Sequence, residues 1–129
     1  MAFVLSQTPT YSWPVNYEMP VDGGKFRRVS FEVIFKRLPQ TRVEEILAQQ
    51  QQLMRAAERG DSNLMELLGQ AREHAAETMA GWNGVKQTDD GEDLAFTAAR
   101  CREFLDVPGM AATVLQAFGE SLKLGKEKN

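Results

Sequence analysis

Ala80-Gly81-Trp82-Asn83-Gly84-Val85, continued by Asp89-Asp90-Gly91-Glu92-Asp93 and closed by Phe96-Thr97, is the stretch on which the fold turns. A long helical pattern runs into it from the left, and two short ones leave on the right. Trp82 lies four residues after Thr78 and three after Met79, a spacing that continues the apolar stripe of the incoming helix. Gly81 and Gly84 supply backbone freedom for the helix exit, and Asp90-Gly91 reads as a tight turn. Phe96 returns an aromatic near Trp82, and Thr97 is placed to cap the helix that follows. Gly81, Trp82, Gly84, Gly91, Phe96 and Thr97 are therefore expected to form a structural clasp, a loop folded back and closed by its two rings.

Upstream of the clasp, the incoming helix carries the stripe Leu64, Leu67, Leu68, Ala71, Ala75, Met79 and Trp82, with Asp61, Ser62 or Asn63 as its cap. Before it, Thr41-Arg42-Val43-Glu44 has the form of a capping box. It opens a helix whose stripe is Val43, Ile46, Leu47, Leu53, Met54 and Ala57, ended by Gly60. Gln49 to Gln52 interrupt that stripe and read as surface. Further out the period changes to two. Tyr11, Trp13, Val15, Tyr17 and Met19 alternate with polar residues and prolines; Val29, Phe31, Val33 and Phe35 alternate likewise. Pro14 and Pro20 make the first strand an edge strand, and Asp22-Gly23-Gly24 makes the pair a hairpin.

Downstream, Ala98 to Leu105 forms a short helix with Ala99 and Phe104 inward. Pro108 opens a last helix in its first turn, with the stripe Met110, Val114, Leu115, Phe118 and Leu122. A lone hairpin is marginal in water and must pack on the helices. The expected fold is α+β: an N-terminal β-hairpin packed on about four helices. Residues 1–10 read as a flexible lead-in, 11–122 as one domain and 123–129 as a solvated tail.

With 129 residues, 43% hydrophobic and 26% charged, the chain has the make-up of an ordinary globule. A formal net charge of −3 argues against a protein that coats nucleic acid. One cysteine, Cys101, excludes an internal disulfide. Met1 to Leu5 is too short for a signal peptide, and no apolar run approaches the ~20 residues of a membrane span, so a soluble, intracellular protein is expected.

Catalytic chemistry finds little support. His74, the single histidine, sits mid-helix beside Glu73 and Glu77, and a dyad with Cys101 would have no third group to orient it. Asp89-Asp90-Gly91-Glu92-Asp93 lacks the alternate acids and the twelfth-position glutamate of a calcium loop. No phosphate loop, zinc pair or Gly-x-Ser-x-Gly occurs. Neither a catalytic residue, a metal nor a cofactor is expected. Lys25, Arg27, Arg28, Lys36, Arg37 and Arg42 could touch nucleic acid, with the strand aromatics stacking on bases. Phe31 and Phe35 share their face with Val29 and Val33, however, which marks them as core and the charges as edge protection.

Gly81-Trp82-x-Gly84-Val85, Gly91, Phe96-Thr97, Leu105-Asp106-x-Pro108-Gly109 and Ala117-Phe118 resemble, in order and spacing, the tail-assembly chaperones of long-tailed bacteriophages and prophages. Val21-Asp22-Gly23-Gly24-Lys25-Phe26, Phe35-Lys36-Arg37-Leu38-Pro39 and Val43-Glu44-Glu45 extend the similarity to the front half. The resemblance covers most of residues 15–122. It implies a non-enzymatic factor that binds the helical tape measure protein and keeps it soluble in the host cytoplasm while the tail tube polymerises. Tail tube protein is a further potential partner, as is a second copy of the chain, and the factor is not expected in the mature virion. It also implies a longer product made by a backward ribosomal slip, for which the codons of Leu124-Gly125-Lys126 offer a place. Two alternatives stand beside this: a structural tail or head-tail connector protein retained in the virion, and a small nucleic-acid-binding regulator. For a helical client, the face Met110, Val114, Leu115 and Phe118 is the expected binding site, with Ala111, Ala112 and Ala117 permitting close approach. The same stripe could instead close the core.

Overall fold

The computed structural model describes residues 1–123. Leu124-Gly125-Lys126, where a slip is expected, and all of the expected tail but Lys123, lie outside the described residues. Two antiparallel strands, β1 (Thr10–Val21) and β2 (Lys25–Lys36), come first, paired along their whole length from Thr10↔Lys36 to Val21↔Lys25. The turn between them needs glycine: Gly23 and Gly24 stand at φ 86° and 72°, where a side chain would be strained. Four helices follow, α1 (Gln40–Arg59), α2 (Leu64–Thr78), α3 (Ala98–Leu105) and α4 (Met110–Ser121), with a third strand, β3 (Met79–Asn83), directly after α2. The fold is α+β, as the two periods predict, with sheet order β1-β2-β3.

β3 corrects the expected path of the chain. Trp82 does not prolong the incoming helix; α2 ends at Thr78, and Met79 turns extended at φ −101°, ψ 133°. Helix and strand compete here on unequal terms. Gly81 weakens a helix by about 1 kcal/mol relative to alanine, while the open side of β2 offers outward peptide groups at Glu32 and Ile34. Gly81 also fits the strand, because a Cβ there would stand 3.2 Å from Ile34 Cδ1. A bulge between Ile34 and Phe35 leaves Met79, Gly81 and Trp82 all buried. That spacing of burial imitates a helical stripe.

The core lies between one sheet face and the helices. Phe35 is fully buried, its ring 5.9 Å from Tyr11 and 5.3 Å from Phe118 of α4; Phe31 meets Phe104 of α3 edge-on at 5.5 Å. Two tyrosine hydroxyls tie β1 to α4 and the turn before it: Tyr17 donates to the Pro108 carbonyl at 2.8 Å, and Tyr11 pairs with Ser121 Oγ at 2.7 Å.

Several helix details differ from the sequence reading. Thr41 is not the cap of α1: Pro39 is, without a side-chain hydrogen bond, and Glu44 accepts from Gln40 instead. A proline at the cap has no amide to satisfy, so the box has no use there. Ala56, not Ala57, completes the buried stripe, and Met54 is exposed. Asn63 occupies the cap position of α2 with no side-chain bond. In α3 the inward residues are Cys101 and Leu105 with half-buried Phe104, while Ala99 is exposed. Pro108 precedes α4, whose cap is Gly109 at φ 78°. Leu122 lies beyond α4 and is partly exposed.

Candidate functional site

The loop from Gly81 to Thr97 is closed by more than its two rings. Trp82 meets Phe96 at 4.8 Å and 82°, and Phe104 at 5.0 Å. Its indole Nε1 donates to the Leu94 carbonyl at 2.7 Å, while Leu94 N–H returns to Val85 at 2.7 Å. Gly84, at φ 85°, donates its N–H to Asp93 Oδ2 at 3.0 Å, so one acid of the Asp89–Asp93 run is committed to loop structure. Gly91 closes a turn on Thr88, and a Cβ there would stand 2.9 Å from Thr88 Oγ1. Thr97 Oγ1 accepts from Arg100 N–H at 3.1 Å at the start of α3.

Met110, Val114, Leu115 and Phe118, the face assigned to a client from sequence, are brought together but pointed inward, none more than 5% exposed. As the chain is folded here, that stripe packs against α2 and the sheet and offers no partner a surface.

Uncovered apolar surface lies elsewhere. A groove of about 230 Å³ runs between α1, α2 and the α3–α4 turn, lined by Leu53, Leu68, Ala71, Val107, Ala111 and Ala112 among others. Leu68 and Val107 are more than a third exposed, and Met65, one helical turn before Leu68, is 76% exposed. At Arg72 the groove opens into a larger crevice between α2 and α3, of about 740 Å³, where Arg72, Glu73, Arg102 and Asp106 place charge. The helical period places Leu68 in the buried stripe, because period alone does not reveal how far a neighbouring helix extends. Met65, an apolar residue off the stripe, was the one available signal.

The titratable groups form structural contacts. Arg42 grips Glu77 with two hydrogen bonds of 2.7 and 2.5 Å and Glu45 with one of 2.6 Å, joining α1 to the end of α2. The guanidinium holds the Glu77 carboxyl below its ordinary range, and the two carboxylates raise Arg42 in turn. Nearby His74 is pushed below 6.5, chiefly by burial and then by the Arg42 charge. Cys101 has no imidazole partner: its buried thiol donates to Met79 Sδ at 3.9 Å, and burial raises its pKa. Among the described residues no group of three or more histidines, cysteines or acids could hold a metal ion. No helix among them is long and apolar enough to cross a membrane.

The basic run is divided rather than gathered. Lys25, Arg27 and Arg28 lie at the turn end of the hairpin, whereas Lys36 and Arg37 lie at its other end, with Arg37 over the Tyr11 ring at 4.9 Å. Phe31 and Phe35 are in the core and present no face for bases.

A family model described as phage tail assembly chaperone matches residues 1–129. No curated protein and no solved structure matches the chain.

Proposed function

The chain belongs to the phage tail assembly chaperones, and from that premise we propose that it binds the tape measure protein and keeps it soluble during tail tube assembly. The observation that carries this reading is the family match along the whole chain. The chaperone acts without catalysis, in the host cytoplasm, and leaves before the virion is complete; tail tube protein is a second potential contact. The client site is the groove between α1, α2 and the α3–α4 turn, rather than the buried stripe of α4. An amphipathic helix lays an apolar stripe into such a groove, and Leu68 and Val107 are already partly exposed to meet it. Ala111 and Ala112 have no bulk to hold a helix away. Exposed Met65 extends the surface with a flexible thioether that fits varied sequences.

Co-expression with tape measure protein tests this. Leu68→Ser and Ala112→Asp, at partly or fully exposed positions, are expected to keep the melting temperature within a few degrees while most of the client turns insoluble. Full client solubility with both folded variants would remove the groove from the reading. Mass spectrometry of purified particles is expected to find the chain absent; stoichiometric amounts would favour a structural tail component instead.

A further inference from the structure

The hairpin has an open edge with a defined direction. Pro14 stands opposite Glu32, and Pro20 opposite Phe26. Lacking an N–H, a proline fits an antiparallel ladder only at a non-hydrogen-bonded pair, where the peptide groups of both residues face away from each other. The peptide groups of Glu32 therefore face β3, where Asn83 lies opposite. Those of Ser30, Arg28 and Phe26 recur at period two and share that direction. β3 pairs no further along β2 than Glu32, and the chain leaves at Gly84. Among the described residues, Phe26, Arg28 and Ser30 meet no third strand. The opposite edge of the hairpin is blunted, since Pro14 and Pro20 remove two of its outward donors. Strand addition is thereby directed to one side.

Side chains around the open edge select the occupant. Phe26 is 67% exposed on one face and Val29 is partly exposed on the other, so an added strand finds apolar surface on both sides. Lys25 and Arg27 form no ion pair among the described residues, and Arg28 shares one exposed bridge with Glu18 at 3.1 Å. A second copy pairing through this edge would set these cations against their own duplicates, and like charges directly opposite destabilise a ladder. A strand with carboxylates meets the reverse situation. We propose that β2 from Phe26 to Ser30 captures an extended acidic segment of a partner protein, which adds as a strand continuing the line of β3. This surface is separate from the client groove.

Fluorescence anisotropy with the full chain tests the proposal, using a labelled peptide of alternating valine and glutamate and a matched peptide of valine and lysine. The acidic peptide is expected to bind, more weakly as salt rises, and to slow amide exchange at Phe26, Arg28 and Ser30; the basic peptide is expected not to bind. Ser30→Pro removes an edge N–H, as Pro14 and Pro20 do on β1, and is expected to lower affinity about tenfold, roughly the worth of one strong hydrogen bond. If that variant does not fold, Arg27→Glu decides, with an expected shift of preference toward the basic peptide. Equal binding of both peptides, no binding of the acidic one, exchange protection confined to other elements, or self-association through this edge would each overturn the proposal. None of these results bears on the groove variants, which lie on α2 and α4.

Discussion

The two ends of the hairpin are continuous in backbone and opposite in circumstance. Near the chain ends of the ladder, Val15, Phe31, Val33 and Phe35 are buried beneath α3 and α4, and β3 pairs with Glu32 to Phe35. Toward the turn, every residue of β2 from Lys25 to Ser30 is exposed, and the ribbon has two strands only. The residue types at the two ends are similar: aromatic, β-branched and basic. What differs is whether a helix lies over the face. A side chain contributes by what covers it, so Phe35 and Phe26, nine residues apart on one strand, should differ greatly in worth.

The strongest way to break this contrast is Phe35→Ala. With the ring fully buried between Tyr11 and Phe118, the loss should be about 3–5 kcal/mol, a large part of the stability of a domain of ordinary size. Denaturant unfolding measures it, and a loss below about 1 kcal/mol would mean that the core repacks around the gap.

Charge gives the intermediate test. Arg42–Glu77 is two-thirds covered on both sides, whereas Arg28–Glu18 on the ribbon is 67% and 52% exposed. The Glu77 pKa is lower folded than unfolded, so its stabilisation is present above the ordinary carboxylate value and is lost as pH falls through the folded one. Glu77→Gln should therefore lower stability at neutral pH and leave a smaller difference from the parent in acid. Glu18→Gln should change stability by less than about 1 kcal/mol at neutral pH. A pH-independent effect of Glu77→Gln would show that the pair acts by packing alone. The smallest effect is expected at Phe26. Phe26→Ala should alter stability by no more than about 0.5 kcal/mol, and a larger loss would reveal cover over the ribbon.

The hairpin, its turn and the bounds of α3 were legible because each rests on local chemistry: alternation from Tyr11 to Met19, paired glycines at 23 and 24, and Thr97 before a short apolar run. Gly60 ended α1 for the same reason, with φ 67°. Thr41 carries a capping motif that is purely local, while the chain enters α1 two residues earlier, straight from Pro39. The groove was not legible. Leu68 and Leu67 are equally apolar neighbours in sequence, and only the reach of α4 and the α3–α4 turn makes one partly exposed and the other core.

By itself the sequence determined the two periods, the α+β class, the edge character of β1 and the family resemblance, since all of these follow from residue order over a few turns or strands. Tertiary structure decided what Met79 to Asn83 became. Its burial spacing suits a helix and a bulged strand alike, and the choice fell to the strand because Glu32 and Ile34, some fifty residues earlier, held out backbone groups that a longer helix would have left without partners. The same distant pairing stops at Glu32 and leaves the ribbon beyond it open. No local pattern encodes where a partner strand ends, because that depends on a contact between segments far apart in the chain.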